Sequence, residues 1–368
     1  MKKKIILFMP FIQVGGVEKN LFLISNYLSR DNQVYICSGS KKLKKKFNKN
    51  IKFISPKRNL NHMLSIRLHY IVCLFLLLKF LIKNKDSVVF TFQGNVYCVL
   101  LCKILNIKVI ARSNSSPKGW KHNFLKKILY TLIMKKADLI IVNSKSFKKE
   151  MKYLYNLQSK CIYNPLNIND IKIKSKKKAK KKFFNSNNKN IKLFNLGRLT
   201  DQKDQITILR AINLIKSHVK FQLIIMGQGY KKKDLENFIE KNNLKKNVKI
   251  MNFENNPFPA FKESDVFILS SKFEGLPNVL LEAGYLKKYI ITTNCPTGPS
   301  EILKNKIHGS FFQVGNFNQL SQRIKFYNYH KEEIKKKIKK ISFNLNEFNY
   351  KKNLNIYKNV VDKIIKKS

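Results

Sequence analysis

Three groups of residues in this chain have types and spacings that can do chemistry. Glu274 and Glu282 stand in an E-x7-E spacing within SSKFEGLPNVLLEAG (270–284), directly after the apolar run DVFIL. Gly275 and Pro277 shape a turn, a helix begins near Asn278, and Glu282 lies about one turn into it. Ligands of open α/β sheets bind beyond the carboxyl ends of strands, beside such helix N-termini. The N–H groups of Asn278, Val279 and Leu280 can take phosphate oxygens, and two carboxylates can accept the hydroxyls of a sugar or ribose. A capped surface helix with two solvated glutamates is the plain alternative. In the second group, Gly197 and Arg198 follow another strand-like run, with Lys203 further along the same turn. A guanidinium and an ammonium converging on one point suit a diphosphate. Two solvated charges compete with that reading in so basic a chain. Third, Gly15 and Gly16 lie between the first apolar run and a helical period. Without Cβ atoms they let a phosphate approach the backbone beside a helix N-terminus, or they make a tight turn and nothing more.

The elements that must position these residues alternate along the chain, which predicts parallel sheets with crossover helices. Strands are expected near 4–9, 33–38, 51–54, 87–92, 107–111, 138–143 and 160–163, with helices over 17–29, 64–83, 95–105, 121–135 and 145–154. After Asn164-Pro165 the chain becomes rich in Lys and Asn with little apolar periodicity, which reads as a linker over 166–190. A second series follows, with strands near 191–196, 221–226, 248–253, 265–269 and 289–293 and helices near 204–216, 231–242, 278–286 and 299–304. The tail from about 317 is basic and helical, with apolar residues at helical spacing in 350–365. The implied domains are 1–165, a linker 166–190, 191–345, and a C-terminal helix 346–368 crossing back to the first domain. No short-period repeat is present, which excludes solenoids.

A chain of 368 residues suits two domains, and 44% hydrophobic with 12% aromatic content excludes global disorder. The formal charge of +53 suits polyanions or an anionic membrane surface. A/T-rich coding also accounts for much lysine, since Lys, Asn and Ile abound while Gly (13) and Pro (9) are scarce. Six scattered cysteines have no zinc or redox spacing and read as buried thiols of a reducing cytosol. The start MKKKIILFMPFI has the basic and apolar parts of a signal peptide but no small-x-small cleavage site, and reads as a first strand. The apolar stretch 70–82 is interrupted by Lys79 and is shorter than the ~20 residues of a membrane span.

Four segments in order, GGVEKN (15–20), NLGRLTDQKD (195–204), the E-x7-E segment and TNCPTGPSEIL (293–303), resemble the retaining GT-B glycosyltransferases of glycosyltransferase family 4. NPLN from Asn164 matches the opening of that family's linker, while the first domain beyond its glycine loop matches loosely. The resemblance implies an α/β, GT-B fold of two Rossmann-like domains facing across a cleft, with the donor in the C-terminal half. It implies Arg198 and Lys203 on the donor diphosphate, stabilising it as leaving group. It puts Glu274 on the reacting sugar and Glu282 on the nucleotide ribose. Gly15 and Gly16 would meet the diphosphate through Gly16 N–H. The turn Gly275, Leu276, Pro277, Asn278 and Val279 would touch sugar and phosphate. Phe253 and Asn255 would lie by the base, and Thr297 and Gly298 would line the same cleft. No obligatory metal and no cofactor beyond the nucleotide-sugar is implied, and no well-placed D-x-D is present. Many relatives carry a His after a middle strand of the first domain. Here that strand ends in Ala111-Arg112-Ser113-Asn114, so Arg112 or His122 would stand on the acceptor side, a structural role for His122 being the alternative.

The implied activity is transfer of a hexose or N-acetylhexosamine from a UDP-sugar to a polyprenyl-diphosphate-linked or polysaccharide acceptor in bacterial surface-glycan (lipopolysaccharide-type) synthesis. The expected location is cytoplasmic, peripheral on the anionic inner membrane leaflet. Lys118-Gly119-Trp120-Lys121, leading into a helix with Phe124, and the basic run 41–46 are the sequence features that suit a lipid interface. Core packing of Phe124, Ile128 and Leu132 is the plain alternative. A nucleic-acid-binding protein is a rival from another class, but zinc spacing, helix-turn-helix and RNP patterns are missing and no nucleic-acid partner is expected. A GT-B epimerase or phosphorylase would need other carboxylates or a cofactor lysine at the cleft.

Overall fold

Runs such as KIILF and FQLIIM are apolar on both sides, so they are strands covered on both faces, and a parallel sheet with crossover helices covers them. The computed structural model describes all residues except 1–2, 14, 61–64, 118–122, 178–181, 186–189, 305 and 367–368. The chain forms two units, one of Met1–Pro165 with Phe348–Ser368 and the other of Leu166–Glu347.

Unit 1 contains β1 (Lys4–Phe8), β2 (Gln33–Cys37), β3 (Lys52–Ile54), β4 (Val88–Thr91), β5 (Lys108–Arg112), β6 (Leu139–Val142) and β7 (Lys160–Cys161). They pair in parallel in the order β3-β2-β1-β4-β5-β6-β7. Its crossover helices are α1 (Gly16–Leu28), α2 (Ile66–Ile82), α3 (Asn95–Ile104), α4 (Phe124–Met134) and α5 (Lys145–Tyr155). Unit 2 opens with α6 (Ile168–Lys176), then runs β8 (Ile191–Leu196), α7 (Gln205–Ile215), β9 (Phe221–Met226), α8 (Lys232–Lys241), β10 (Val248–Met251) and α9 (Phe258–Glu263). It continues with β11 (Val266–Leu269), α10 (Asn278–Tyr285), β12 (Tyr289–Thr293), α11 (Pro299–Ile302), β13 (Gly309–Phe312), α12 (Phe317–Tyr329) and α13 (Lys331–Lys340). This sheet is also parallel, in the order β10-β9-β8-β11-β12-β13. The last helix, α14 (Tyr350–Lys366), belongs to unit 1 and packs on α1.

Each sheet reverses its strand order once, between β1 and β4 in unit 1 and between β8 and β11 in unit 2. The loops leaving these strands diverge to opposite faces and open a crevice at the carboxyl edge. In unit 1, α1 and α14 cover one face, burying Leu21, Ile24, Leu354 and Tyr357. The other face buries Cys73, Leu77, Val99 and Met134 from α2, α3 and α4. In unit 2, α7, α8, α12 and α13 close over one face, and Phe194, Phe261 and Phe267 pack edge-to-face or tilted against one another on the other.

Three sequence expectations change. The described part of 166–190 is not a free linker. Ile171 of α6 is buried, and Lys174 O accepts a hydrogen bond from Asn256 Nδ2 at 2.9 Å. The backbone N–H groups of Phe183 and Phe184 donate to Glu263 Oε2 at 3.0 and 3.1 Å. Isolated anchors such as these leave no periodicity to read. The strand β13 and the short helix α9 also go unpredicted, since GSFF and FPAFKE are too short for a period to register. Finally, α4 begins at Phe124 rather than at the Trp120 segment, because Asn123 caps it by accepting from Lys126 N at 3.0 Å.

Candidate active site

At the carboxyl edge of unit 2, the strands flanking the reversal carry the predicted charges. Lys203, on the loop after β8, and Glu274, on the loop after β11, meet with Nζ–Oε1 at 2.5 Å. Both are mostly buried, with 15% and 8% of their side chains exposed. The pairing follows from topology, since β8 and β11 are neighbours although 71 residues separate the two side chains. Arg198 is exposed on the same β8 loop, and its Nη2 donates to Gln202 Oε1 at 3.3 Å. Gln202 Nε2 in turn donates to Phe273 O at 3.0 Å, and Lys272 N donates to Gln202 O at 2.8 Å. One glutamine thus holds the arginine beside the Glu274 loop. Ser270 Oγ donates to Lys203 O at 2.8 Å and closes the ring.

The predicted turn 275–279 leads directly into α10, whose first turn has no side-chain cap. Glu282 is buried in the following turn of that helix. Thr297 and Gly298 pack beneath the turn. Thr297 Oγ1 donates to the carbonyls of Glu274 and Gly275, at 2.5 and 3.2 Å. A Cβ on Gly298 would come within 2.1 Å of Gly275 O, so only glycine permits this approach. Cys295 lies close by, and burial, reinforced by the Glu274 charge, pushes its thiol up to about 12. It is a packed thiol and no nucleophile.

Phe253 and Asn255 lie just beyond β10, on the same carboxyl edge but two strands away from β8. The sequence reading missed Gln202 and also the G-x-G after β9. A Cβ at Gly227 would fall 1.8 Å from Gly197 O, so the β8 and β9 turns touch backbone to backbone. In a glycine-poor chain, MGQGY after an apolar run was the available signal.

In unit 1, Gly15 precedes α1 and Gly16 opens it. The carboxylate over this turn is the protein's own: Glu18 Oε1 accepts from Gln13 N at 3.4 Å. Arg112 is not on an acceptor-facing surface. It is fully buried, with Nε donating to Tyr357 OH at 3.1 Å and Nη2 to Asn164 Oδ1 at 2.7 Å. Its guanidinium lies 5.4 Å from the Phe92 ring centroid, and Nη1 has no hydrogen-bond partner. The Arg112 side chain points into the core and ties α14 to β5 and to Asn164 within unit 1. His122, Trp120, Lys118 and Lys121 lie outside the described residues. Among the described residues, no three His, Cys, Asp or Glu side chains gather as a metal site.

Comparison with known proteins bears on the family and the fold. Residues 14–170 match the model of glycosyltransferase family 4, and residues 176–342 match that of glycosyl transferases group 1. An uncharacterised glycosyltransferase of Methanocaldococcus jannaschii is 32% identical over 62% of this chain and 60% of its own length. A Campylobacter jejuni enzyme is 30% identical over 56% of this chain and 55% of its own. It is the N-acetylgalactosamine-N,N'-diacetylbacillosaminyl-diphospho-undecaprenol 4-alpha-N-acetylgalactosaminyltransferase. The chain thus spans little more than half the length of these curated relatives. Among solved structures, Anabaena HepE in complex with UDP-glucose superposes with a TM-score of 0.77 at 15% identity, over 98% of this chain and 99% of that one. The fold is GT-B, and the chain belongs to the glycosyltransferases of the family 4 type.

Proposed function

We propose that the protein transfers a hexosyl or N-acetylhexosaminyl group from a UDP-sugar to a lipid-linked or polysaccharide acceptor during surface-glycan synthesis, with retention at the anomeric carbon. The observation that carries this reading is the Lys203–Glu274 pair beside Arg198 at the reversal of the unit 2 sheet. A diphosphate needs two cations, and a sugar needs an acceptor for its hydroxyls. In transfer, the bond from the anomeric carbon to the diphosphate oxygen breaks, and a bond to the acceptor hydroxyl forms on the same face. The acceptor's proton passes to the leaving phosphate. Arg198 and Lys203 stabilise the charge that develops there, in the place a metal would take. Glu274 holds the sugar and Glu282 the ribose.

The Campylobacter jejuni relative, whose name carries a diphospho-undecaprenol acceptor, supports a polyprenyl-diphosphate anchor here. No helix among the described residues is long and apolar enough to cross a membrane. Such an acceptor therefore implies peripheral association with the inner leaflet of a bacterial membrane.

Thermal unfolding with UDP-, GDP- and ADP-sugars tests the donor. At 100 times its Kd, a true donor stabilises by about 2.7 kcal/mol. Protection by UDP-sugars, with transfer that persists in excess EDTA, is expected. No protection by any nucleotide-sugar, together with tight, steeply salt-dependent DNA binding, overturns the assignment. Loss of transfer in EDTA, restored by Mg²⁺ or Mn²⁺, overturns the metal-free mechanism.

A further inference from the structure

Three neighbouring helices of unit 1 turn apolar stripes outward. On α4, Leu125, Leu129 and Leu132 are 73%, 58% and 55% exposed, while Tyr130, Ile133 and Met134 face the core. The core packing expected for Phe124, Ile128 and Leu132 is therefore reversed, since all three are exposed. On α2, Ile71, Phe75 and Ile82 are exposed at helical spacing opposite the buried Cys73, Leu77 and Leu81. On α3, Tyr97, Leu100 and Ile104 do the same opposite Cys98, Val99 and Cys102. α3 packs against both α2 and α4, and the rings of Tyr70 and Tyr97 lie 6.5 Å apart across the first of these seams. The stripes therefore form one surface. Isolated exposed leucines are ordinary, but three adjacent stripes are a patch that water does not favour.

The charge on this surface has one sign. α2, α3 and α4 contain no Asp or Glu. Arg67, Lys79, Lys83, Lys126, Lys127 and Lys135 are exposed on or at the ends of α2 and α4. Lys79 Nζ lies 4.3 Å from the Phe75 ring centroid, so a cation borders the apolar stripe directly. We infer that this face of unit 1, made by α2, α3 and α4, seats on an anionic lipid leaflet, apolar stripes in the acyl boundary and lysines among the headgroups. The basic run 41–46 is not part of it. Lys46 O accepts from Asn26 Nδ2 of α1, and Phe47 packs on Phe22, so that run sits with the opposite layer.

The inference deepens the lipid-linked acceptor proposed above, but its test needs neither donor nor acceptor. The full chain is floated with phosphatidylglycerol-rich and with pure phosphatidylcholine vesicles, at low and high salt. Wild type is expected to bind the anionic vesicles more tightly and to retain part of that binding at high salt, because only the charge attraction is screened. The variant Phe75→Ser, Leu129→Ser, Leu132→Ser is expected to lose at least ~10-fold in partitioning at both salts. The variant Lys79→Gln, Lys83→Gln, Lys126→Gln, Lys127→Gln is expected to lose ~10-fold or more at low salt and little at high salt. All seven positions are on the surface, and unchanged thermal unfolding confirms that the variants fold. Equal flotation of wild type and the serine variant overturns the proposal, as does equal binding to both vesicle types. Sedimentation provides the other refutation: a concentration-dependent dimer abolished by the serine variant, without vesicle binding, assigns the face to a second copy of the chain. Vesicle binding without nucleotide-sugar protection would leave this surface standing and sink the transferase reading instead.

Discussion

Both units reverse strand order beside their first strand, yet they treat the crevice differently. Unit 2 brings Lys203 and Glu274 into contact there, holds Arg198 through Gln202, and lets backbones touch at Gly197 and Gly227. Unit 1 ties its corresponding loops together through Phe11 N and Gln93 Oε1, at 3.2 Å. It folds Glu18 over its glycine turn and sinks its strand-end cation, Arg112, into the core. What unit 1 leaves outside on α2, α3 and α4 is a set of apolar stripes bordered by lysines. The parallel sheet determines where a ligand can approach, and the side chains at that edge determine whether one is met. The same architecture thus gathers charged side chains at the edge of one sheet and leaves an apolar helical face over the other.

The largest effect that could break this contrast is at Lys203. Lys203→Met is expected to lower kcat by ~10²-fold or more, the scale for losing one transition-state charge stabiliser. It also strands a mostly buried carboxylate on Glu274, which costs about 3 kcal/mol of unit 2 stability. Glu274→Gln added to Lys203→Met is expected to recover much of that stability and none of the activity. Steady-state kinetics and urea unfolding separate the two. Near-wild-type turnover of the single variant would remove Lys203 from the site.

Next in size is a paired glycine test. Gly227→Ala puts a methyl group 1.8 Å from a backbone carbonyl, which cannot move without its strand. A loss of ~1–3 kcal/mol is expected, read as reduced hydrogen-exchange protection in β8 and β9. Gly15→Ala meets only the end of the flexible Glu18 side chain, at 2.6 Å, and its φ of −171° suits any residue. A change within ~0.5 kcal/mol is expected. Equal losses would mean that the two crevices are built to the same tightness.

This contrast also explains what the sequence could disclose. The charged motifs of unit 2 were legible because each lies within a short loop after an apolar strand, and strand order brings them together. Gly227 escaped notice because its need for glycine arises from a turn 30 residues earlier in the chain, and spacing alone does not reveal that approach. Arg112 misled because it stands at the end of the strand after which many relatives carry a His. Its burial depends on Tyr357, 245 residues away. The stripes of α4 have the period of a core-facing helix, and period reports amphipathicity but not which face is covered. Tyr130, Ile133 and Met134 already satisfy the core, so the second stripe has nothing among the described residues of unit 1 left to cover it.

The smallest effect sharpens the comparison at the opposite, amino edge of the sheets. There the units begin alike. Asp138, before β6, accepts Val109 N at 2.8 Å and pairs with Lys103 and Lys108. Asp265, before β11, accepts Lys192 N at 2.9 Å and pairs with Lys331 and Lys335. Burial alone would raise both carboxyls, but the lysines and the backbone N–H hold them below the usual range. Their stabilising contribution is therefore full above pH ~4 in both units and is lost as pH falls through the depressed values. Unit 2 then adds Lys288, whose Nζ donates to Lys262 O and Ser264 O, both at 2.8 Å. Burial pulls this ammonium down to about 8, and nearby Lys335, Lys262 and Lys192 pull the same way against Asp265. An unfolded lysine titrates near 10.4, so between those values the unfolded chain binds the extra proton and unit 2 stability rises with pH. From pH 7.5 to 9 the rise is about 1 kcal/mol by that linkage. It is expected in the exchange protection of the β11 and β12 amides, corrected for intrinsic rate, and is expected to vanish in Lys288→Met. A matching rise in β5 and β6 of unit 1, or a rise that survives Lys288→Met, would assign it to general lysine repulsion across this very basic chain rather than to one buried ammonium.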